Sequence, residues 1–170
     1  MYRTIKIRLH ATKEQKEHLL AYEEVYHTDL QDLIHQLHKH PSSIRYADLC
    51  FSDAIEVHSR WLLYQTALKM FNRQLAHKKT SYGKSSTWGP RSFQIKSSRL
   101  TLHYGRQFSH RKDTLLMKPL SQELLSLQEH TIIRMDLVHD EFFWYANFLI
   151  RIAANAWNSV AIFCKICYDN

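Results

Sequence analysis

The first ten residues constrain the fold more than any other part of the chain. In MYRTIKIRLH, Lys6 and Arg8 alternate with aliphatic residues at positions 5, 7 and 9, a two-residue period typical of a strand with one buried face. Such a strand requires partners for its backbone groups. Because the other strand-like segments all follow residue 90, the sequence predicts one β-domain that is interrupted by a helical insertion.

A long helix is predicted directly after this strand. Thr12 and Gln15 have the spacing of a capping box, in which each side chain bonds to the backbone N–H of the other residue. The helix must end before Pro41, because proline lacks a backbone N–H and its ring clashes with the preceding turn. Seven apolar residues at helical spacing are predicted to be buried: Leu19, Tyr22, Tyr26, Leu30, Leu33, Ile34 and Leu37.

A second helix is predicted from Phe51, with Ser52 as its N-terminal cap. Its large apolar residues recur at intervals of three and four, so they share one face, and its C-terminal end is basic. The predicted buried face consists of Val57, Trp61, Tyr64, Leu68, Phe71 and Leu75.

The remainder of the sheet is predicted after a polar loop at residues 80–90. Residues 121–129 fit either a short helix or a loop, and residues 139–141 fit a hairpin turn. The segments predicted as strands, from alternation or from β-branched and aromatic content, are residues 92–95, 99–104, 114–118, 130–138 and 142–152.

Positive charge is concentrated in the middle of the chain. Residues 80–112 carry seven Lys/Arg and no Asp/Glu, which equals the formal net charge of +7 of the whole chain. A local patch of this kind indicates a polyanionic partner. Three cysteines do not suit a disulfide framework, and no apolar run predicts a signal peptide or a membrane span. We therefore expect a cytoplasmic protein with no membrane partner.

Four motifs in this order resemble the N-terminal part of the TnpB family, the transposon-encoded, RNA-guided nucleases regarded as ancestors of type V CRISPR effectors. The motifs are the opening TIKIRLHATKEQKEHLL, the helical TALKMF at residues 66–71, the paired SFQI and RLTL at residues 92–95 and 99–102, and FFWY at residues 142–145. The resemblance covers residues 1–152.

The resemblance implies an α+β fold, namely an OB-like wedge β-barrel interrupted by a helical recognition insertion. It assigns residues 1–10 to the first wedge strand, 11–79 to the helical insertion, 80–152 to the rest of the barrel and 153–170 to a divergent apolar tail. In that family the two parts bind the guide RNA scaffold and the duplex that flanks the target, while base pairing reads the target sequence.

The resemblance also implies which residues contact nucleic acid. Side chains that can hydrogen-bond to base edges or stack would contact the flanking DNA, and they are Tyr46, His58, Ser59, Thr87 and Trp88. The RNA would be contacted by basic residues and by Tyr104, whose ring would stack on a base. The basic residues are Arg3, Lys6, Arg8, Lys69, Arg73, Lys78, Lys79, Lys84, Arg91, Lys96, Arg99, Arg106, Arg111 and Lys112.

The nuclease part of that family has no counterpart in the sequence. The metal-binding carboxylates of that family lie in a RuvC-like domain beyond the wedge. In this sequence the tail AANAWNSVAIFCKICYDN contains a single carboxylate residue, Asp169. We therefore expect no catalytic residues, no metal and no cofactor. Cys164 and Cys167 have the spacing of half a zinc ribbon. A structural zinc site requires four ligands, and the other pair is missing, so buried or free thiols are the simpler interpretation.

A histidine cluster before Pro41 is the other candidate for a metal site. His35, His38 and His40 lie near a helix C-terminus, where residues that can carry positive charge are favoured without any metal. The aromatic run at residues 142–145 is interpreted as core and strand rather than as a platform for base stacking.

Three functions remain open at this point. The first is a nucleic-acid-binding module of a TnpB-like system that does not cleave, localised to the nucleoid when on DNA, or a subunit completed by a separate nuclease chain. The second is a protein-interaction module that assembles through the apolar tail, including self-association. The third is an inert transposon remnant. Phosphate contacts weaken steeply with salt, and apolar assembly does not.

Overall fold

The computed structural model describes residues 1–39, 45–76 and 85–152, and it is an α+β fold. The predicted RNA contacts Lys78, Lys79 and Lys84, and the predicted apolar tail at residues 153–170, lie outside the described residues. The elements are β1 (Tyr2–His10), α1 (Lys13–Lys39), α2 (Val57–Leu75), β2 (Ser85–Trp88), β3 (Phe93–Lys96), β4 (Arg99–His103), β5 (Lys112–Lys118), α3 (Ser121–Glu129), β6 (Thr131–His139) and β7 (Trp144–Arg151), with short 3-10 turns at Tyr46–Asp48 and Arg106–Phe108.

The seven strands form one antiparallel sheet in the order β2-β6-β7-β1-β5-β4-β3. The opening strand β1 lies at its centre and pairs with β7 along Tyr2 to Leu9 and with β5 at Arg8 to His10. The alternation predicted from the sequence is confirmed, because Ile5, Ile7 and Leu9 are buried. The predicted pairing of this strand with strands that follow residue 90 is confirmed as well.

The sheet curls strongly, and its connectivity explains why. The two edge strands, β2 and β3, are joined by residues 89–92 alone. Five residue steps span at most about 17 Å, whereas the edges of a flat seven-stranded sheet lie about 29 Å apart. The edges must therefore approach each other, and the sheet becomes a curled antiparallel half-barrel.

Helix α1 fills the inward side of the curl. The capping box at its start is present, with Gln15 N donating to Thr12 Oγ1 at 3.2 Å and Thr12 N donating to Gln15 Oε1 at 3.0 Å. All seven residues of the predicted stripe are buried. Tyr22 packs against Trp88 of β2 and against Tyr104, with ring centroids 4.5 and 5.4 Å apart. The helix is thereby attached to the inside of the sheet.

Helix α2 differs from its prediction in start and in orientation. It begins at Val57, and the Glu56 side chain accepts from His58 N at 2.7 Å, so Ser52 is not its cap. The predicted buried face is wrong at three positions, since Val57, Trp61 and Leu75 are exposed. The buried positions are Ser59, Leu63, Ala67 and Phe71. Because two of these buried residues are small, the backbone of α2 can approach its neighbours closely. The periodicity of large apolar residues does not reveal such a buried face.

The predicted loop at residues 80–90 contains a strand. Ser85–Trp88 pairs with β6 from Ser85↔Val138 to Trp88↔Met135, and its short, polar sequence hid it. The hairpin between β6 and β7 is confirmed, with Asp140 Oδ1 accepting from Phe142 N at 2.8 Å and from Phe143 N at 2.7 Å. Residues 121–129, which were open between helix and loop, are helical.

Gly89 and Gly105 are the points at which the helical segment meets the sheet backbone. A Cβ at Gly89 would clash with the carbonyl oxygen of His58 at the start of α2. A Cβ at Gly105 would clash with the carbonyl oxygens of Asp53 and Ala54, and Gly105 N donates to Ala54 O at 3.0 Å. Both positions require glycine because backbone lies against backbone.

We expect Gly89→Ala to lower the free energy of unfolding by about 2 kcal/mol or more, because the added methyl group forces α2 away from the β2–β3 corner. Chemical denaturation of the full chain measures this effect. Ala21→Ser, which adds one atom at an exposed position of α1, is the control and should change stability little. Equal stability of Gly89→Ala and wild type would contradict the close approach.

Candidate nucleic-acid interface

The outward face of the sheet is strongly basic. Strand alternation sends the side chains that neighbour Ile5, Ile7 and Leu9 in sequence to the opposite side from the core, and the strand register extends this face across the sheet. Eight exposed Lys/Arg side chains lie on it: Lys6, Arg8, Lys96, Arg99, Lys112, Lys118, Arg134 and Arg151. We name this set the basic face.

Negative charge is nearly absent from the basic face. Among the strand residues that the structure describes, Asp136 is the one carboxylate on this side, and it is already engaged. Its Oδ2 lies 3.3 Å from Arg134 Nε, and its Oδ1 accepts from Thr87 Oγ1 at 2.7 Å. Among the described residues, the other seven cations of this face form no ion pair and are exposed. Lys6 lies near Asp140 of the β6–β7 turn, and after the backbone amides of Phe143 and Phe142 its charge helps to lower the pKa of that carboxyl.

Like charges are directly opposed in the sheet. Arg8 pairs with Lys118, and Lys96 pairs with Arg99. Side chains directly opposite in an antiparallel pair lie about 5 Å apart, and like charges there are unfavourable. The repulsion between these like charges lowers stability in the free protein, and an anion bound between them would reduce it.

Aromatic rings orient the two cations of β1. Lys6 Nζ lies over the Tyr145 ring at 4.1 Å, and the Arg8 guanidinium lies over the Phe143 ring at 3.5 Å from its centroid. Cation–π contacts of this kind contribute roughly 0.5–1 kcal/mol at exposed sites. They hold both head groups against the sheet, where they remain exposed.

The structure brings together only part of the basic set predicted from the sequence. Lys6, Arg8, Lys96, Arg99 and Lys112 share the basic face. Arg3 is exposed, but it lies an odd number of residues from Lys6 along β1, so its side chain is on the opposite side of the strand from the basic face. The other described members are exposed elsewhere: Arg91, Arg106 and Arg111 lie in connections between strands, and Lys69 and Arg73 lie on α2.

Three stacking or base-reading assignments require correction. The side chains of Trp88 and Ser59 have no exposed surface, and Tyr104 is buried as well. Trp88 Nε1 donates to Ser86 Oγ at 3.0 Å, and burial raises the pKa of the Tyr104 hydroxyl. Rings enclosed in the core offer no face to a base. Trp88 and Tyr104 lie among charged residues in sequence, but the strands turn them inward.

Ser59 instead holds the β2–β3 corner. Its Oγ accepts from Gly89 N at 3.0 Å and lies 2.6 Å from Ser92 Oγ. Ser92 Oγ in turn donates to Gly89 O at 2.8 Å. This buried network attaches α2 to the turn that joins the edge strands, which is a structural role.

The other predicted DNA contacts lie near the β2–β3 corner and the first turns of α2. His58 is exposed in the first turn of α2, and Thr87 is half-buried and bonded to Asp136. Tyr46 packs in an aromatic cluster with Trp61 and Tyr64, with ring centroids 5.1 and 5.5 Å away. The predicted DNA contacts are therefore neighbours, but they do not form one exposed surface, because Ser59 and Trp88 are buried and Thr87 is bonded to Asp136.

Lys118, Arg134 and Arg151 were missed by sequence reasoning. The signal for Lys118 was available in the alternation of KDTLLMK at Lys112–Lys118, because Lys112 and Lys118 have the same parity and so lie on the same face of the strand. Arg134 and Arg151 lie outside the segment of highest charge density, and only the register of β6 and β7 places them on the same face.

A buried carboxylate attaches the β6–β7 hairpin to α1. Glu23 of α1 accepts from His139 Nε2 at 2.9 Å, and His27 Nε2 lies 3.5 Å away. The His139 ring stacks on Trp144, with centroids 4.4 Å apart. Burial alone would raise the pKa of Glu23, but hydrogen bonds and positive charge from the two histidines outweigh it, so that pKa is lowered.

No group of three or more metal-ligating side chains occurs among the described residues. His40 lies outside them, and His38 Nε2 lies 2.9 Å from Gln74 Oε1 with its ring against Phe71. Within the same residues, no helix is long and apolar enough to cross a membrane.

Comparisons with known proteins leave the family open. No protein-family model matches the chain, and none of the curated proteins matches its sequence.

We expect Trp88→Ala to lower the free energy of unfolding by about 3–5 kcal/mol, because the change leaves a cavity beside Tyr22 and Tyr104. Trp61→Ala is the matched control, and its ring is 51% exposed, so the loss should be much smaller. Denaturant titration of both variants measures the difference. A Trp88→Ala protein of wild-type stability would contradict the structural role.

We expect Glu23→Gln to lower the free energy of unfolding at pH 7 by about 1–2 kcal/mol, since a charged acceptor for His139 is lost. The folded-state pKa of Glu23 lies below the unfolded value. The carboxylate therefore stabilises the fold above about pH 4.3, and this contribution is lost as the pH falls through the folded pKa. The difference in free energy of unfolding between Glu23→Gln and wild type should therefore shrink as the pH falls through that folded pKa. Glu24→Gln, exposed and adjacent, should show no such pH-dependent gap.

Proposed function

We propose that the chain is a nucleic-acid-binding module that holds a folded RNA against the basic face of its sheet. The observation that carries the proposal is the composition of this face, with eight exposed cations and a single carboxylate that is already paired. Phosphate contacts supply most of the sequence-independent affinity of such proteins. A rigid sheet holds its cations in place before the RNA arrives.

The dimensions of the face suit several phosphates at once. Lys6 and Arg8 on β1, Lys118 on β5, Arg99 on β4 and Lys96 on β3 form a band across four neighbouring strands, with Lys118 and Arg99 offset by two residues along the strands. At about 4.8 Å between strands, this band is about 14 Å wide. Contacts with multiple phosphates give both affinity and a defined orientation of the nucleic acid.

The finer proposal follows from the resemblance to the TnpB family. We infer that the bound RNA is a guide or its scaffold, that the curled sheet is an OB-like wedge, and that α1 and α2 correspond to the recognition insertion. The module would hold RNA, with target-flanking DNA as a second ligand, and would not cleave. Cleavage would come from a separate nuclease chain.

Removing charge from one edge of the basic face tests the proposal. For the pair Lys96→Gln with Arg99→Gln, we expect the slope of log affinity against log salt concentration to become shallower by about 2, since each phosphate contact contributes about 1. The pair Lys39→Gln with Arg45→Gln removes two exposed charges from the helical segment instead, and its slope should equal that of the wild type. Filter binding of a structured RNA between low and moderate salt measures both.

Two outcomes would contradict the proposal. Equal slopes for the two pairs would mean that the basic face does not contact phosphate. RNA recovered with the protein from its native host, washed at moderate salt, should contain one enriched species, and random RNA would contradict the guide-RNA assignment.

A protein-interaction module is the alternative, and α2 carries the observation that favours it. Val57, Trp61 and Leu75 are exposed on this helix, and large exposed apolar side chains favour contact with another protein surface. Association through them would persist at high salt, whereas RNA binding would not. Light scattering at low and high salt distinguishes the two.

A further inference from the structure

A small cleft lies between the tip of the β6–β7 hairpin and the end of β1. Its narrower part, about 120 Å³, is lined by residues 8–11, by Lys16 and by residues 142–144. A wider part of about 240 Å³ continues between Lys16 and the hairpin turn. Both are smaller than the roughly 300–1,000 Å³ clefts that enclose drug-sized ligands, so the cleft suits one ring system with its substituents.

The narrower part combines cations with aromatic rings. Arg8, His10 and Lys16 line it together with Phe142, Phe143 and Trp144, and no carboxylate is among its lining residues. It also lies at the positive N-terminal end of α1, where Ala11 precedes the helix. A phosphate is therefore favoured on the side of β1 and α1, and a flat ring is favoured on the side of the hairpin.

Phe142 is the most exposed aromatic residue of the cleft, although residues 142–145 were expected to be core and strand. It is 71% exposed, whereas Trp144 is buried. The backbone beneath it is held firmly, since Phe142 N and Phe143 N both donate to Asp140 Oδ1, and Asp140 N donates to Phe143 O at 3.0 Å. The ring is thus presented to solvent from a fixed turn.

The carboxylates of the cleft line its wider part and not its narrower part. Asp140 lines the wider part, and its Oδ1 is occupied by the two backbone amides; these hydrogen bonds, Phe143 first, lower the pKa of Asp140. Glu141 is exposed and lines the wider part alone. Charge thus divides the cleft into a cationic end and an end able to accept hydrogen bonds from a base.

The cleft is continuous with the basic face through Arg8. The same guanidinium that stacks on Phe143 at 3.5 Å faces Lys118 across the sheet. A nucleic acid held on the basic face therefore reaches the cleft without leaving the surface.

We propose that this cleft binds one unpaired nucleotide of the RNA held on the basic face, with its base stacked on Phe142 and its phosphate between Arg8 and Lys16. The inference rests on the proposed function and adds a feature of the ligand: the RNA has a single-stranded segment adjoining its paired region. Stacking on an aromatic side chain is tolerant of sequence, so the site senses strandedness rather than base identity.

The test compares two RNA hairpins that differ in one feature. One hairpin is blunt, and the other carries a short unpaired adenosine tail at its 3′ end. Wild-type full-length protein should bind the tailed hairpin about tenfold more tightly, which is within the range for one stacked base. Phe142→Ala should lose this advantage while binding the blunt hairpin as before. Leu125→Ala, which removes a 53% exposed apolar side chain from α3, is the matched control and should keep it.

The outcomes separate this site from the proposed function. If both hairpins bind the wild type equally well, or Phe142→Ala keeps the advantage, the basic face still binds RNA but the cleft assignment is wrong. If neither hairpin binds in a salt-dependent way, both proposals are wrong. A tail containing 2-aminopurine gives an independent readout, because its fluorescence should be quenched by wild type and unquenched by Phe142→Ala.

Discussion

The structure depends on the central position of β1. Strands β2, β6 and β7 lie on one side of it and β5, β4 and β3 on the other, so β1 alone unites them in one sheet. Without it, β7 and β5 would present open backbone edges, which promote wrong pairing. Its partners lie more than a hundred residues away in sequence, and the α1 core that fills the inward side repays this loop closure.

The sequence predicted the elements whose signal is periodic and local. The alternation of β1 and the stripe of α1 are confirmed because each is set by large apolar residues at one spacing. The burial of α2 could not be predicted in this way, since the buried positions include the small residues Ser59, which lies against Gly89, and Ala67. Strand β2 was hidden because it is only four residues long and acquires its strand geometry from pairing with β6.

The candidate site was predicted in composition but not in placement. Charge density indicated a polyanion partner, yet it grouped Trp88 with exposed cations, and only the register shows that this ring lies in the core. Conversely, Lys118 and Arg151 join the basic face through strand order, which no local pattern encodes. Side-chain parity is local information, whereas the identity of the neighbouring strand is not.

The core and the basic face use opposite sides of the same strands, and this separation has a physical consequence. The inward residues form the core that stabilises the fold, while like charges oppose one another on the outward side at Arg8 and Lys118. A sheet that tolerates such repulsion must draw its stability from the core beneath. The hairpin that carries Phe142 is held by Glu23 through His139 and by its own Asp140. Because both are already in place, the proposed stacking on Phe142 would cost little conformational freedom.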